Sequence, residues 1–480
     1  MTRRIRAIAF ITIGVLAPLS LWEAPDSSDA GIPLPYVVTK TTDTADGACD
    51  ADCSLREAII AANQDPDPST VKLPAGHYNL SIPPGEGDPS SGDLDLTDDI
   101  VIQGARGASP TIDANAIDRV FQVHCSLCEI EIRGVTIREG SYSSGPSVIG
   151  AYGAMNLLIA DSVVTANTGR AISGGPNSEV TIEDSTISNN INPDPATNVG
   201  GVLNNGDMLI FNSTISGNET LGSGGALFNT SSLIVANVTI SGNSASSAAG
   251  IYNRSDGALT LFNVTITDNE AATGAGLRND GLAFVRNTII ANNQGGDCII
   301  GNPFTSQGGN IDSDDSCGLT QRSDQPDVDP LLKALALNGG KTRTHALGAG
   351  SPALEAAGDF APCQAIDQRG VTRPQGGECD SGAYEARYCF SQPETKAGSN
   401  AGQTLTGTAG DDVILGLGGV DTLNGVGGDD RLCGGDGDDT LNGGADDDRL
   451  SGGSGSDTCN GGAGAGDIAN ASCEVKNGIP

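Results

Sequence analysis

From Gly407 to Ala469 the chain can be cut every nine residues without a gap. The units are GTAGDDVIL, GLGGVDTLN, GVGGDDRLC, GGDGDDTLN, GGADDDRLS, GGSGSDTCN and GGAGAGDIA. The sixth place holds Asp412, Asp421, Asp430, Asp439, Asp448 and Asp457; the eighth holds Ile414, Leu423, Leu432, Leu441, Leu450, Cys459 and Ile468. A run this rich in glycine cannot propagate a helix. With one apolar place in nine it cannot fill a globular core either. What remains is a stack of short strands and turns, each unit repeating the last. A flexible acidic linker could share the composition, but not an unbroken phase with the apolar place in step.

These units resemble the RTX nonapeptide, Gly-Gly-x-Gly-x-Asp-x-apolar-x, and seven consecutive copies make the resemblance specific. It implies a parallel β-roll with two nonads per coil that binds several Ca2+ ions. The implied metal ligands are Asp412, Asp430 and Asp448 along one edge and Asp421, Asp439 and Asp457 along the other. The residue types suit calcium, which takes about 6–8 hard oxygen ligands, and glycines let turn carbonyls face inward. Three places depart from the pattern. Asp446 replaces the fourth-place Gly of the fifth unit. The seventh unit has Gly466 where Asp belongs, with Asp467 one place late, so its ion site is expected to be weak or absent. Cys459 takes an apolar place within reach of Cys473. Residues 401–480 carry 14 acids against three bases. Without a cation these carboxylates repel, and the segment is expected to be disordered until calcium folds it.

A second repeat fills the middle of the chain. Blocks of seven residues start at Gly134, Asp161, Asp184, Asn212, Asn237, Asn263 and Asn287, in steps of 27, 23, 28, 25, 26 and 24 residues. Asn237-Val-Thr-Ile-Ser-Gly-Asn243 is representative. A companion motif runs in phase: Gly200-Gly-Val-Leu-Asn204, Gly224-Gly-Ala-Leu-Phe-Asn229, Ala249-Gly-Ile-Tyr-Asn253 and Gly274-Ala-Gly-Leu-Arg-Asn279. A coil of this length cannot bury its apolar face alone, so coils must stack. Hydrophobic residues at 37% and aromatics at 4% agree, since neither suits one large globular core. The closing residues Asn167, Asn190, Asn218, Asn243, Asn269 and Asn293 are expected to form an amide ladder. The N-x-Ser/Thr sequons among these repeats are read as ladder and turn positions, not glycosylation sites. Period and block chemistry resemble right-handed parallel β-helices. Val71–Leu73, Leu94–Leu96, Ile100–Gln103 and Val120–Val123 supply the first coils.

The flanks carry two further resemblances. Cys53-Ser-Leu-Arg-Glu-Ala58 closely resembles the CSLREA domain that opens secreted bacterial β-helix proteins. Ser54 and Glu57 fit a capping box, and Leu55, Ile59 and Ala62 share a helical face. Arg56 and Glu57 are therefore read as parts of a capped helix over the open end. Asp329-Pro-Leu-Leu332, Ser351-Pro-Ala-Leu354, Asp367-Gln-Arg-Gly370 and Cys379-Asp-Ser-Gly-Ala-Tyr-Glu385 resemble the choice-of-anchor Q domain. His345, Asp367 and Arg369 there are read as parts of a salt-bridged cap, not as a catalytic set. The expected fold is all-β: a right-handed parallel β-helix with a short N-terminal capping helix, plus a C-terminal parallel β-roll. The expected domains are a signal peptide (1–30), an N-terminal cap (36–80), β-helix repeats (81–328), a C-terminal cap (329–388) and the calcium-binding roll (389–480).

Arg3, Arg4 and Arg6, followed by an apolar stretch from Ile8 to Leu21, read as a secretory signal ending near Ala30. The apolar run is short for a membrane span, and no other segment approaches that length. The twelve cysteines all follow it. Disulfides are therefore expected, and local pairing suggests Cys49–Cys53, Cys125–Cys128, Cys298–Cys317, Cys363–Cys379, Cys389–Cys433 and Cys459–Cys473. His124, Cys125 and Cys128 offer at most three local zinc ligands. Removing residues 1–30 takes three arginines and three acids and leaves the net charge at −35. Such a surface repels nucleic acid and attracts cations. The expected protein is a secreted monomer, extracellular or surface-associated, whose partners are calcium and a polysaccharide or cell-surface ligand.

Two functions compete. One is a non-catalytic, calcium-binding adhesion or carbohydrate-binding protein. The other is a calcium-dependent polysaccharide (uronate) lyase or related enzyme, which needs a base near the α-proton and neutralisation of the carboxylate. The only Trp, Trp22, lies in the signal segment. Arg133, Arg138, Arg170, Arg254, Arg278 and Arg286 are scattered through the repeats, and Asp113, Asp118 and Arg119 are the best enzyme residues on offer. The binding reading is favoured.

Overall fold

The first residue of each seven-residue block turns the chain. Gly134, Asp161, Asp184, Asn212, Asn237, Asn263 and Asn287 all adopt left-handed backbone, with φ between 48° and 66°. Glycine, Asn and Asp enter that region most cheaply, which is why these types recur there. In the computed structural model, which describes residues 35–84, 91–141, 147–195, 198–302, 304–357 and 363–479, each turn joins two short strands of one coil. The expected signal peptide lies outside the described residues.

Successive coils stack as a parallel β-helix with three faces. Face one includes Ile100–Gly104, Glu129–Arg133, Asn156–Ala160 and Glu179–Glu183. Face two includes Thr136–Arg138, Val163–Thr165, Thr186–Ser188 and Thr214–Ser216. In the coils of Ser232–Ser241 and Ala258–Thr267 one strand spans both faces. Face three is a nine-stranded sheet running from Leu94–Leu96 to Cys298–Ile300. The described pairings between coils are parallel and in register. The fourth residue of each block therefore sits directly over the next: Ile137, Val164, Ile187, Ile215, Ile240, Ile266 and Ile290 form one column. All seven side chains are buried. Burying an aliphatic side chain of this size is worth roughly 1.5–3 kcal/mol, so the columns are the main cohesion of the solenoid.

The asparagine ladder runs as expected. Asn167, Asn190, Asn218, Asn243 and Asn269 each donate Nδ2–H to the Oδ1 of the next coil's Asn, at 2.8–3.0 Å. Asn293 donates to Asp297 and ends the row. A second ladder links Asn204, Asn229, Asn253 and Asn279 at 2.7–2.8 Å.

At the N-terminal end the helix Leu55–Gln64 carries the full capping box between Ser54 and Glu57. Burial works against ionisation of Glu57, but hydrogen bonds from Ser54, Thr44 and Asp46 outweigh it and hold its pKa down to about 2. Arg56 is also buried, bonded to Asp43 and to the carbonyls of Gly92 and Asp93. Both side chains brace the helix against the first coil. The six cysteine pairs form as the spacing suggested, so Cys125 and Cys128 are joined to each other.

Residues 329–388 pack against the side of the β-helix. The segment runs back along face two as a strap. Lys341 reaches Asp161 and Asp184, and Thr342 donates to the carbonyl of Asn212. Thr214 donates to the carbonyl of Arg343, and Thr239 to Gln368. The amide of Ala383 donates to Thr265. Outward threonines and serines of face two attract it because they supply hydroxyls to pair with strap backbone. The strap is stiffened by buried ion pairs. Arg369 bonds Asp367 at 2.8 Å and lies over the Tyr384 ring, and Arg373 bonds Glu385 at 2.8 Å. His345 stands apart from these, held by Lys333 O and Ser241 Oγ, so His345, Asp367 and Arg369 do not converge.

Asn243 sits in mid-ladder, fully buried. Replacing Asn243→Ala should strand a donor and an acceptor on the neighbouring coils and cost about 2–4 kcal/mol, as one to two buried groups lose partners. The denaturant midpoint of the full chain measures it; a change near zero would mean the ladder carries no stability.

Candidate calcium-binding site

The nonapeptides fold as two parallel five-stranded sheets. One contains Val413–Gly418, Arg431–Asp436 and Arg449–Ser454; the other contains Thr422–Gly427, Thr440–Ala445 and Asp457–Gly462. Units therefore alternate between sheets, and two nonads complete a coil. The eighth-place residues Ile414, Leu423, Leu432, Leu441, Leu450 and Cys459 are fully buried between the sheets. Fourth-place Asp446 holds φ at 73° where Gly419, Gly428 and Gly437 are also left-handed, a conformation Asp tolerates better than most residues.

The sixth-place aspartates line the two edges. On one edge the amide of Asp412 donates to Asp430 Oδ1, and that of Asp430 to Asp448 Oδ1, at 2.8 and 2.9 Å. On the other, Asp421 donates to Asp439 and Asp439 to Asp457, at 2.8 and 2.9 Å. One oxygen of each carboxylate is thus used by the fold. The other is not. Oδ2 of Asp421, Asp430, Asp439, Asp448 and Asp457 is buried without any hydrogen-bond partner. Each lies against the first-place glycine of its own nonad. A Cβ at Gly416, Gly425, Gly434, Gly443 or Gly452 would press into that oxygen.

Five like-charged, desolvated, unpartnered oxygens at regular intervals are costly. The cost is visible in proton affinity. Burial first, then neighbouring carboxylates, push Asp430 up to about 7 and Asp448 up to about 6. Burial likewise raises Asp421, Asp439 and Asp457, with backbone amides opposing it. A hard dication needs oxygen donors of this kind, in a space that only glycine leaves open. The donor set fits calcium.

The structure separates Asp412 from the other five expected ligands. Both of its oxygens are engaged, Oδ2 by the amide and hydroxyl of Thr408 and Oδ1 by Thr395. The seventh unit is also better formed than expected. A one-residue slip puts Asp467 on the ladder, 19 residues after Asp448, whose amide donates to Asp467 Oδ1 at 2.9 Å. Its Oδ2 is buried and unpartnered like the others. The slip also exchanges core residues: Ala469 pairs with Leu450, and Ile468 is 52% exposed. Sequence reading missed the rungs beyond the frame. Thr395 and Gln403 precede the first aspartates of the two edges, and Glu474 accepts from the amide of Asp457. No nonapeptide pattern marks these positions.

The other site residues are divided. Asp113 bonds His77 and Arg138 on face two, at 3.0 and 2.9 Å. Arg119 pairs with Asp93 at 2.7 Å, and Asp118 accepts from the Arg119 amide.

Residues 120–289 match the family model of the right handed beta helix region. Residues 398–432 and 434–468 match that of the RTX calcium-binding nonapeptide repeat. The chain therefore carries a right-handed parallel β-helix and calcium-binding RTX repeats. Among solved structures it is similar to pectate lyase Pel9A, at 13% identity over 74% of this chain and 97% of that one, with a TM-score of 0.40. It is also similar to the PL6 family alginate lyase AlyGC, at 13% identity over 85% of this chain and 70% of that one, with a TM-score of 0.23. A comparison with curated proteins finds no match.

Two outcomes are expected. Gly443→Ala should displace the Asp448 carboxylate and raise the calcium concentration for half-folding several-fold. Gly427→Ala, where a Cβ meets only Ala445 at 3.8 Å, should not. Calcium titrations followed by circular dichroism compare them, and equal midpoints would refute the cradle. Without calcium, the raised carboxylates bind protons more tightly folded than unfolded, so the roll's stability should fall as pH rises from about 4 to about 7. With chelator present, β-structure of the roll by circular dichroism should be greater at pH 5 than at pH 8. The reverse order would contradict this.

Proposed function

We propose that this chain is a secreted, non-catalytic binding protein, extracellular or surface-associated, whose calcium-held roll is appended to a carbohydrate- or surface-binding β-helix. The observation that carries the calcium part is the file of unpartnered Oδ2 atoms along both edges of the roll. In this reading Asp421, Asp430, Asp439, Asp448 and Asp457 hold several ions. Asp412 joins them only where calcium displaces Thr408 from its Oδ2. The bound cation neutralises the carboxylates and links successive coils. Residues 36–80 close the N-terminal end, 81–328 form the helix, 329–388 brace it, and 389–480 form the roll. Six disulfides and a net charge of −35 support an oxidising, calcium-containing compartment.

The lyase reading draws less support from the side chains. Several arginines that could serve as a base are in local pairs. Arg133 bonds Glu131 and Glu183, Arg138 bonds Asp113, and Arg278 bonds Asp280. Arg286 stacks on Phe262. Guanidinium groups already paired with carboxylates are not free to neutralise a uronate.

Two measurements on the full chain test the proposal. Calcium added to chelated protein should increase β-structure by circular dichroism and bind more than one ion per chain by calorimetry. An unchanged spectrum would sink the calcium-dependent roll. With calcium present, acidic polysaccharides should yield no unsaturated-uronate absorbance; a steady rise would establish the lyase instead.

A further inference from the structure

On face three, the strand Ile149–Tyr152 turns Ile149 and Ala151 inward and leaves Gly150 and Tyr152 outward. The Tyr152 ring does not project from the sheet. It folds back over Gly150: a Cβ there would stand 2.9 Å from the Tyr152 Oη and 3.0 Å from Cζ. Gly175 is close to the other side of the ring, where a Cβ would meet Cδ1 at 3.4 Å. Two glycines thus leave room for a half-buried aromatic ring to lean back along the outer side of the strand.

Polar groups of both kinds surround this ring. Gln122 is in register with Gly150, and Asp95 with Gln122, so both stand beside it on the preceding coils. Arg119 and Arg170 both act electrostatically on the Tyr152 hydroxyl, and Arg119 also acts on Asp95. Asp118 lies against Gly92, where a Cβ would stand 2.7 Å from its Oδ2. Carboxylates accept, guanidinium groups donate, and the glutamine amide does both. Sugar hydroxyls need that mixture, and an aromatic face suits the apolar side of a pyranose ring. The described bonds of the bracing strap go to face two, at Thr214, Thr239 and Thr265.

Charge decides the class of sugar. A uronate chain would bring carboxylates against Asp95 and Asp118, on a molecule of net charge −35. We propose that the N-terminal part of face three is a binding subsite for an uncharged polysaccharide, with Tyr152 as its stacking platform and Asp95, Asp118, Arg119, Gln122 and Arg170 as hydroxyl partners. This rests on the carbohydrate-binding reading above and names the ligand class and the place. It also separates this chain from proteins that take polyuronates.

The test uses the full chain with calcium, run in affinity gels containing a soluble β-glucan, a xylan or a galactomannan, and in parallel gels containing polygalacturonate or alginate. Wild type should be retarded by at least one uncharged polymer and by neither polyuronate. Tyr152→Ala should weaken that retardation roughly tenfold, while Tyr152→Phe keeps it, because the ring and not the hydroxyl stacks. Gly150→Ala should act like Tyr152→Ala by lifting the ring. Melting curves show whether each variant is folded, and Tyr152→Leu, apolar but without a stacking face, takes the place of Tyr152→Ala in the comparison if the alanine variants are not. Retention of full binding by a folded Tyr152→Ala, loss in Tyr152→Phe equal to that in Tyr152→Ala, or binding to polyuronates alone would overturn the subsite and leave carbohydrate binding standing. Binding to none of the polymers would overturn the carbohydrate reading itself.

Discussion

Every coil is joined to the next by parallel backbone hydrogen bonds, so equivalent side chains stand about 4.8 Å apart in columns. A residue can recur in such a column only if it tolerates its own copy. Isoleucine does, through contact. Asparagine does, because its amide is both donor and acceptor, and the rows from Asn167 to Asn293 and from Asn204 to Asn279 are built that way. Aspartate does not. Its copies repel, and the fold supplies each with one amide donor for two oxygens. The two halves of the molecule follow from this difference. The two asparagine ladders of the β-helix satisfy their own amides, while the roll keeps a bare carboxylate oxygen on rung after rung, a demand that a dication meets.

The halves are continuous in construction. The end of the strap leads into the roll: Lys333 bonds the carbonyl of Thr395, and Thr395 in turn bonds Asp412. The disulfide Cys389–Cys433 ties the same junction to the third nonad. Cys389 packs there with Val413 and Leu415, so one outer surface of the roll is anchored to the body of the protein. The buried pairs of Arg369 and Arg373 nearby fix the strap's course. Breaking one partner would leave a desolvated charge, which is more costly than the intact pair is stabilising.

Much of this was legible in sequence because it is periodic. The block centres, the closing asparagines and the sixth-place aspartates are each set by a fixed spacing, and the capping box of Ser54 and Glu57 is a local pattern. What escaped was set by tertiary register. The slip that brings Asp467 onto its ladder depends on how one coil settles on another, which a fixed nine-residue frame reads as a defect. The strap's path depends on contacts between residues as far apart as Lys341 and Asp161. The backward lean of Tyr152 depends on glycines whose role is visible only once the ring is seen against one of them. Asp113 and Arg119, close in sequence, found different partners because the chain turns between face two and face three.

The strap has a consequence for how the molecule comes together and apart. Its anchor points, from Asp161 to Gly309, exist only after the successive coils have stacked. Contacts of such long sequence separation form late, because the intervening chain must be ordered first. The strap is therefore a clasp that closes on finished work. Once shut, it holds distant coils to a single covalent segment, so a local breach in the solenoid cannot spread without first prying that segment away. Resistance to unravelling would then be governed by the release of the clasp, and not by the weakest rung beneath it.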